Sequence, residues 1–183
     1  MQKDKHTIKA KKEGLRARSA YKLKEIQDKY GILKRGQVIL DLGCWPGGWS
    51  LIASRYGDVY AIDLNGIIPI DHVNFVKGDV NDNEWLKRIP KVDLVLSDMA
   101  PHTSGNKEQD CYDSFLLCER ALEIANLKLN LGGNFVCKIF QGAEFNEFLK
   151  EVRKHFEFVK SYKPPTSREK SKEMYIIGKG FRG

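Results

Sequence analysis

The stretch that decides the fold is Val38-Ile39-Leu40-Asp41-Leu42-Gly43-Cys44-Trp45-Pro46-Gly47-Gly48-Trp49-Ser50. Its apolar beginning is typical of a parallel strand that is covered on both faces. Gly43 and Gly47 permit a positive φ and let a ligand approach the backbone closely, and Pro46 suits a turn or a first helical position. The stretch therefore predicts a buried strand, a ligand-binding turn and a helix that continues to about Tyr56.

On both sides of this stretch, apolar runs alternate with helical patterns, which predicts an open α/β sheet. Six further strands are predicted at 59–63, 73–77, 92–98, 134–140, 156–159 and 174–177. Helices are predicted at 15–30, with Gly31 as the stop, at 112–129 and around 145–152. A loop joins the last two strands, so they are expected to pair antiparallel. Ligands of such a sheet bind at the carboxyl ends of its strands.

Basic residues are concentrated at the start of the chain. The 183 residues carry a formal net charge of +7, yet residues 1–36 alone hold 12 Lys/Arg against 4 Asp/Glu. The remaining residues hold 19 against 20 and are close to neutral. The length suits one domain over 1–183, and the charge indicates a polyanionic partner for a basic N-terminal arm and helix in 1–36. A solvated tail is the alternative.

The composition argues against metal-binding, membrane and secreted classes of protein. Four cysteines and four histidines show no paired metal-ligand spacing, so no metal site is predicted and the thiols are expected to be free, as in a reducing cytosol. No apolar run is long enough to span a membrane, and the N-terminus is too polar for a secretory signal. We therefore expect a cytoplasmic protein, and a monomer.

Acidic residues stand at the ends of three predicted strands. Asp63 lies 22 residues after Asp41, the spacing at which an acid of a doubly wound fold accepts hydrogen bonds from ribose hydroxyls. Asp79 follows the third strand and is a candidate acceptor for an amino group on a base edge, while Asp98 ends the fourth strand. A turn or helix-cap role is the alternative for each acid. The distance of Asp63 from the glycine turn favours ribose binding.

Several short motifs occur in order along nearly the whole chain. They are Arg18-Ser19-Ala20-Tyr21-Lys22-Leu23, Asp41-Leu42-Gly43, Pro46-Gly47-Gly48-Trp49-Ser50, Ser97-Asp98-Met99-Ala100-Pro101, Lys138-Ile139-Phe140-Gln141-Gly142, and Ser167-Arg168 with Glu173-Met174-Tyr175. Together they resemble the FtsJ/RrmJ family of S-adenosylmethionine-dependent ribosomal RNA ribose 2′-O-methyltransferases. Cys44 and Trp45 stand where that family usually has small residues, so the indole is expected to reshape the methionine end of the pocket.

The resemblance implies a fold, a cofactor and a substrate. The fold is the Rossmann-like methyltransferase fold, a seven-stranded, mostly parallel sheet with an antiparallel last strand and helices on both faces. The cofactor is S-adenosyl-L-methionine. The substrate is large-subunit ribosomal RNA, methylated at a uridine, either as free RNA or in the large ribosomal subunit. The basic N-terminal segment and the basic loop at 163–172 are expected to contact its phosphates.

The resemblance also implies functional residues at the matching positions. The implied catalytic set is Lys22, Asp98, Lys138 and Glu173. The cofactor contacts are Gly43 in the glycine turn together with Gly47, Trp49, Asp63, Asp79 and, near the reactive methyl, Asp98. Each catalytic candidate has a plainer alternative, such as a phosphate contact for Lys22 or a surface charge for Glu173.

Lys138 admits two chemical roles in a ribose methylation. A neutral amine would accept the proton of the attacking ribose hydroxyl. A charged ammonium would instead orient that hydroxyl and stabilise the negative charge that develops on its oxygen. The sequence leaves the two roles open.

Two other classes of protein compete with this interpretation. A non-catalytic RNA-binding or ribosome-assembly module would keep the fold without the reaction, and the large Trp45 is its main support. A nicotinamide-dependent oxidoreductase would use the same kind of sheet, but the turn lacks the G-x-G-x-x-G spacing because Cys44 and Trp45 follow Gly43. Such an enzyme would also have no use for a basic arm. The sequence therefore favours the RNA methyltransferase.

Overall fold

The predicted apolar runs form the seven strands of one sheet. The computed structural model describes residue 14, residues 16–168 and residues 171–183. The strands are β1 (Gln37–Leu42), β2 (Gly57–Asp63), β3 (Val73–Lys77), β4 (Val92–Ser97), β5 (Leu129–Phe140), β6 (Phe156–Tyr162) and β7 (Glu173–Phe181). The helices are α1 (Ser19–Tyr30), α2 (Gly48–Ala53), α3 (Lys107–Lys128) and α4 (Phe145–His155), with a short 3₁₀ helix at Trp85–Arg88.

The sheet has the strand order β3-β2-β1-β4-β5-β7-β6. Strands β1 to β5 pair in parallel, and β7 lies between β5 and β6 and is antiparallel to both. The expected antiparallel pairing of the last two strands is therefore confirmed. This topology is the Rossmann-like methyltransferase sheet, so the predicted fold class is confirmed as well.

Helices cover both faces of the sheet, as predicted. On one face α3, α4 and the 3₁₀ helix bury Trp85, Cys118, Leu122 and Phe148 against the strands. On the other face α1 and α2 form a second apolar cluster that contains Leu23, Ile26, Trp49 and Ile52. Since both faces are covered, the central strands consist largely of apolar residues.

The two helices nearest the glycine turn are shorter than the sequence predicts. The first described helical residue of α1 is Ser19, and Leu15, where the predicted helix begins, lies outside the described residues. Helix α2 ends at Ala53 rather than near Tyr56. The helix ends because the N–H groups of Arg55 and Tyr56 donate to carbonyls only three residues back, at 3.3 and 2.9 Å, so the chain leaves the helix in a turn before β2.

Helix α3 and strand β5 both begin earlier than predicted. Helix α3 starts at Lys107 because the Asn106 side chain caps it, accepting from the backbone N–H groups of Glu108 and Gln109 at 3.1 and 3.3 Å. The first turn of the helix is polar, so the spacing of apolar residues did not predict this start. Strand β5 starts at Leu129, and its register to β4 then shifts so that Asn134 pairs with Leu94. Residues 130–133, which lie between the predicted helix at 112–129 and the predicted strand at 134–140, therefore form an irregularity within the strand.

The remaining strand ends differ from prediction by a few residues. Strand β4 stops at Ser97, one residue before Asp98, whereas β6 and β7 are longer than expected. None of the helices in the described ranges is long and apolar enough to cross a membrane. All four cysteines are buried free thiols, and no group of side chains suited to hold a metal ion occurs among the residues that the structure describes.

Candidate active site

The candidate site lies at the carboxyl edge of the parallel strands. The pairing register aligns the residues Ile62, Leu42, Ser97 and Cys137 across β2, β1, β4 and β5. The next residues along these strands are Asp63, Gly43, Asp98 and Lys138, and Lys138 pairs with Tyr175 of β7, so five residues follow one another along this edge. Four of the five are predicted site residues. Because this is the edge at which open α/β sheets bind ligands, the row defines where a substrate and a cofactor would meet.

The glycine turn between β1 and α2 is packed against the segment that follows β4. Gly43 has a φ of +70°, and an added Cβ would lie 2.4 Å from Met99 Cγ, so only glycine fits there. Its backbone N–H donates to the Ile62 carbonyl at 2.9 Å, which ties the turn to the end of β2. Gly47, at the start of α2, has a φ of +100°. The turn is thus bonded to the end of β2 and packed against Met99.

The two unusual residues of the turn point in opposite directions. Cys44 is buried with the core between the sheet and α2, whereas the Trp45 side chain is 58% exposed. The Trp45 backbone N–H donates to Asp63 Oδ2 at 2.9 Å. The Trp45 backbone therefore helps to position the predicted ribose-binding acid, and the effect of the indole on the pocket stays a prediction.

The acids after β2 and β3 are both engaged in local turns. Asp63 accepts from the backbone N–H groups of Trp45 and Asn65, one on each carboxylate oxygen, at 2.9 and 2.8 Å. Asp79 accepts from the backbone N–H and the side-chain amide of Asn81 at 2.9 and 3.0 Å. Each carboxylate oxygen has more than one lone pair, so these turn contacts leave acceptor capacity for a ligand. Ribose and base contacts stay predictions.

Lys138 and Asp98 are in direct contact. Lys138 lies on a central strand and is only 6% exposed, although its side chain ends in an amine. Its Nζ donates to the Asp98 backbone carbonyl at 2.7 Å and lies 3.2 Å from Asp98 Oδ1. The amine therefore contacts the residue that follows β4. A lysine that snorkels from a strand end would instead extend its amine to solvent.

Lys22 and Glu173 form a second ion pair beside the first. Lys22 lies on α1 and Glu173 begins β7, and Lys22 Nζ donates to Glu173 Oε2 at 2.7 Å. Burial acts to raise the pKa of the Glu173 carboxyl, but the hydrogen bond and charge of Lys22, the charge of Lys138 and a hydrogen bond from Ser171 together lower it. Glu173 is therefore an anion at neutral pH. The four predicted catalytic residues lie together.

Tyr175, which belongs to the Glu173-Met174-Tyr175 motif but was given no functional role above, connects the two ion pairs. Its side chain is fully buried, and its hydroxyl donates to Asp98 Oδ1 at 2.7 Å. Lys22 Nζ lies 5.9 Å from the centre of its ring. Burial first, and then the charge of Asp98, raise the pKa of Tyr175 well above its usual value, so the phenol stays protonated. The sequence did contain a signal for Tyr175, because residues two apart on a strand lie on the same face, which places Tyr175 on the face of Glu173.

Trp49, a predicted cofactor contact, has a packing role in the structure. Its side chain is 2% exposed, and its Nε1 donates to the Ser19 carbonyl at 2.8 Å. The indole ring also lies 5.7 Å from the Tyr175 ring. Trp49 thus joins α2 to the first turn of α1 beneath the site, and a contact with the cofactor stays a prediction.

The predicted RNA-contacting cations have different surroundings. Residues 1–13 of the basic arm and Lys170 of the basic loop lie outside the described residues. Lys163 Nζ donates to the Ser171 carbonyl at 2.9 Å, and Lys172 Nζ lies 3.7 Å from Cys111 Sγ. Arg168 is exposed at the mouth of a pocket beside Lys22. Among the described loop cations, Arg168 lines the pocket that Lys22 and Glu173 also line.

Two features define a Rossmann-like methyltransferase. The antiparallel β7 lies between β5 and β6, and an acid, Asp63, ends the strand that follows the glycine turn. Comparison with known proteins gives the family. The family model described as "FtsJ-like methyltransferase" matches residues 15–181. The chain belongs to this family.

Curated relatives and a solved structure agree with the family assignment. A protein of Wolbachia sp. subsp. Brugia malayi (strain TRS) named "Ribosomal RNA large subunit methyltransferase E" is 46% identical over 97% of this chain and 84% of its own length. A protein of the same name from Methanothrix thermoacetophila is 45% identical over 97% of this chain and 72% of its own length. A Plasmodium falciparum ribosomal RNA methyltransferase superimposes with a TM-score of 0.82 at 30% identity, covering 92% of this chain and 99% of that one.

Proposed function

We propose that this protein transfers a methyl group from S-adenosylmethionine to a ribose 2′ oxygen of large-subunit ribosomal RNA, at a uridine. The observation that carries this proposal is the cluster formed by Lys138 with Asp98 and Lys22 with Glu173 at the carboxyl edge of the sheet. Two ammonium groups beside one another suit an oxygen on which negative charge develops. The names of the relatives supply the substrate class.

The residues at the edge fit the proposed cofactor by their chemistry. Asp63 and Asp79 are carboxylates with acceptor capacity for ribose hydroxyls and a base amino group. The turn at Gly43 is tight, because an added Cβ there would lie 2.4 Å from Met99 Cγ. The Asp98 carboxylate suits the positive charge of a sulfonium. When bound, the cofactor supplies the activated methyl group, and the protein supplies position and electrostatics.

The protein groups act on the attacking hydroxyl. Lys138 Nζ, held by Asp98, contacts the 2′ oxygen either as the acceptor of its proton or as an ammonium that orients it. The Lys22–Glu173 ion pair lies beside this contact, so Lys22 adds a second positive charge near the 2′ oxygen. Tyr175 is a positioning residue, because its hydroxyl fixes Asp98 without contact to the substrate.

The proposed function includes a ribosomal partner. Residues 1–36, with 12 Lys/Arg against 4 Asp/Glu, account for the excess positive charge, and the 163–172 loop contains four further cations: Lys163, Arg168, Lys170 and Lys172. Such residues neutralise RNA phosphates with little sequence preference. The substrate is ribosomal RNA, either free or in the large subunit, and the enzyme acts in the cytoplasm as a monomer.

Methyl transfer from radiolabelled S-adenosylmethionine to ribosomal particles and to naked ribosomal RNA tests the proposal. Label in a single nuclease-resistant dinucleotide is the expected result, because a 2′-O-methyl group blocks cleavage of the adjoining phosphodiester. Label on a base would contradict ribose chemistry. No label on either substrate, together with no cofactor binding by calorimetry, would favour the non-catalytic RNA-binding module instead.

Replacing Tyr175 with phenylalanine removes the hydroxyl that fixes Asp98. We expect kcat to fall about 10-fold, the effect of losing one hydrogen bond to a charged group, with little change in the KM for RNA. The matched control is Tyr112→Phe, because Tyr112 lies half-exposed on α3. Steady-state kinetics check the prediction, and an unchanged kcat or an equal loss in the control would contradict it.

A further inference from the structure

A pocket of about 480 Å³ opens directly beside the catalytic cluster. Its walls are the start of α1 and the segment that leads into β7. The residues that line it are Arg18, Lys22, Arg168, Ser171 and Glu173. Lys22 and Glu173 belong to both the pocket and the proposed catalytic set, so a group in the pocket would lie next to the reacting ribose.

The pocket has a strong excess of positive charge. Three cations line it, and among its described lining residues Glu173 is the one carboxylate. Glu173 already accepts from Lys22 at 2.7 Å. Burial and then the charge of Arg168 lower the pKa of Arg18, while Glu173 opposes this shift. The two guanidinium groups therefore repel each other across the pocket, and an anion between them would relieve that repulsion.

The walls of the pocket are held in place without a bound molecule. Arg18 Nη2 donates to the Thr166 carbonyl at 2.5 Å. Thr166 is 5% exposed, and both its backbone N–H and its hydroxyl donate to the Glu25 carboxylate on α1. The Ser171 N–H donates to the Arg168 carbonyl at 2.9 Å. Because Thr166 is already joined to α1, and Ser171 to Arg168, these described walls need little rearrangement on binding.

The chemistry of the lining residues selects a phosphate. A guanidinium presents parallel N–H donors that match two phosphate oxygens, and arginine is preferred where such an anion is bound. In RNA, the carbon that bears the 2′ oxygen is bonded to the carbon that bears the 3′ phosphodiester. When the 2′ oxygen reaches Lys138, the 3′ phosphodiester is thus the nearest anion in the strand.

We propose that the pocket between Arg18 and Arg168 binds the phosphodiester on the 3′ side of the methylated nucleotide. This inference rests on the proposed function, because it needs a ribose at the catalytic cluster. It assigns the direction of the RNA strand, since the chain 3′ of the target must leave past the 163–172 loop.

Arg168→Gln tests the contact, because Arg168 is exposed and its loss should not disturb the core. We expect the KM for the ribosomal substrate to rise about 10-fold, as for a lost hydrogen bond to a charged group, with kcat nearly unchanged. The slope of log K against log salt should become shallower by about 0.7 to 0.9. Arg88→Gln is the matched control, since it removes an exposed arginine from the 3₁₀ helix.

Two nucleotides test the direction of the strand. We expect uridine 3′-monophosphate to inhibit methyl transfer at lower concentration than uridine 5′-monophosphate, and to shift the amide NMR signal of Ser171. Both effects should disappear in Arg168→Gln. Equal inhibition by the two nucleotides, or inhibition that survives the substitution, would overturn the proposal.

The two proposals can fail separately. A wild-type protein that transfers no methyl group contradicts the proposed function, whereas the NMR titration with the two nucleotides requires no transfer and still tests the pocket. A wild type that is active and an Arg168→Gln variant with unchanged KM and salt dependence would contradict the phosphate contact alone.

Discussion

Lys138→Ala is expected to lower the rate of methyl transfer about 1000-fold, within the range that a positioned acid–base group contributes. Lys138 Nζ is the one amine of the cluster in contact with Asp98, through both the backbone carbonyl and the carboxylate. Its loss removes the group that acts on the 2′ oxygen, whichever protonation state it uses. Single-turnover transfer to the ribosomal substrate measures the effect.

Binding measurements separate the loss of chemistry from a loss of structure. Calorimetry should show that the variant still binds S-adenosylmethionine and RNA with affinities near those of the wild type. Lys160→Ala is the matched control, because Lys160 is an exposed lysine on β6. Turnover of Lys138→Ala at the wild-type rate would contradict the proposed role.

Lys138→Arg distinguishes the two roles of the amine. An arginine stays charged at every accessible pH, so it cannot accept a proton from the hydroxyl. If Lys138 acts as the proton acceptor, Lys138→Arg should be as inactive as Lys138→Ala. If Lys138 acts as a charged orienting group, the arginine variant should retain a measurable part of the activity.

Asp41→Asn is expected to change how stability depends on pH. Asp41 is fully buried under the glycine turn and accepts a hydrogen bond from Ser50 Oγ at 2.6 Å. Burial raises its pKa to about 7; the Ser50 hydrogen bond opposes this, and the charges of Asp98 and Asp63 add to it. The folded protein therefore keeps this carboxyl protonated at pH values where the unfolded chain has already ionised it.

The sign of the effect follows from proton linkage. Below about pH 4 the carboxyl is protonated in both states, so its ionisation costs the folded state nothing. Between about pH 4 and pH 7 the unfolded chain binds fewer protons, so stability falls as the pH rises. The full loss is about 4 kcal/mol, at about 1.4 kcal/mol for each pH unit. An asparagine cannot ionise and removes this loss.

Urea unfolding between about pH 4 and pH 8 checks the prediction. The free energy of unfolding of Asp41→Asn, relative to the wild type, should rise by about 4 kcal/mol over that interval. Asp71→Asn, which removes an exposed carboxyl, is the matched control and should run parallel to the wild type. If Asp41→Asn also runs parallel, Asp41 is not protonated in the folded protein.

Local sequence patterns predicted the strands well and the helix ends poorly. All seven strands were expected, because a strand buried on both faces shows a continuous apolar run. Helix α3 was expected only from Tyr112, because its first turn is polar and its start depends on the Asn106 cap. The early start of β5 at Leu129 depends on pairing with Val92, a contact distant in sequence.

The acids at the strand ends could also be predicted from the sequence. Each follows an apolar run, and parallel strands end at one edge, so Asp63, Asp79 and Asp98 were expected to face one ligand. Lys22 and Glu173 needed the resemblance to a family, because 151 positions separate them and neither lies in an informative local pattern. Tyr175 occurred in one of the motifs, but nothing in the sequence indicated its contact with Asp98.

The sequence by itself determined the order of strands and helices, the glycine turn and the acids behind it, because apolar periodicity and turn chemistry act over a few residues. Only the tertiary structure decided that the helix carrying Lys22 packs against β7. That contact brings the Lys22–Glu173 ion pair next to Tyr175 and Asp98 and forms the pocket between Arg18 and Arg168. Such long-range contacts depend on how both faces of the sheet are covered, which no local pattern encodes.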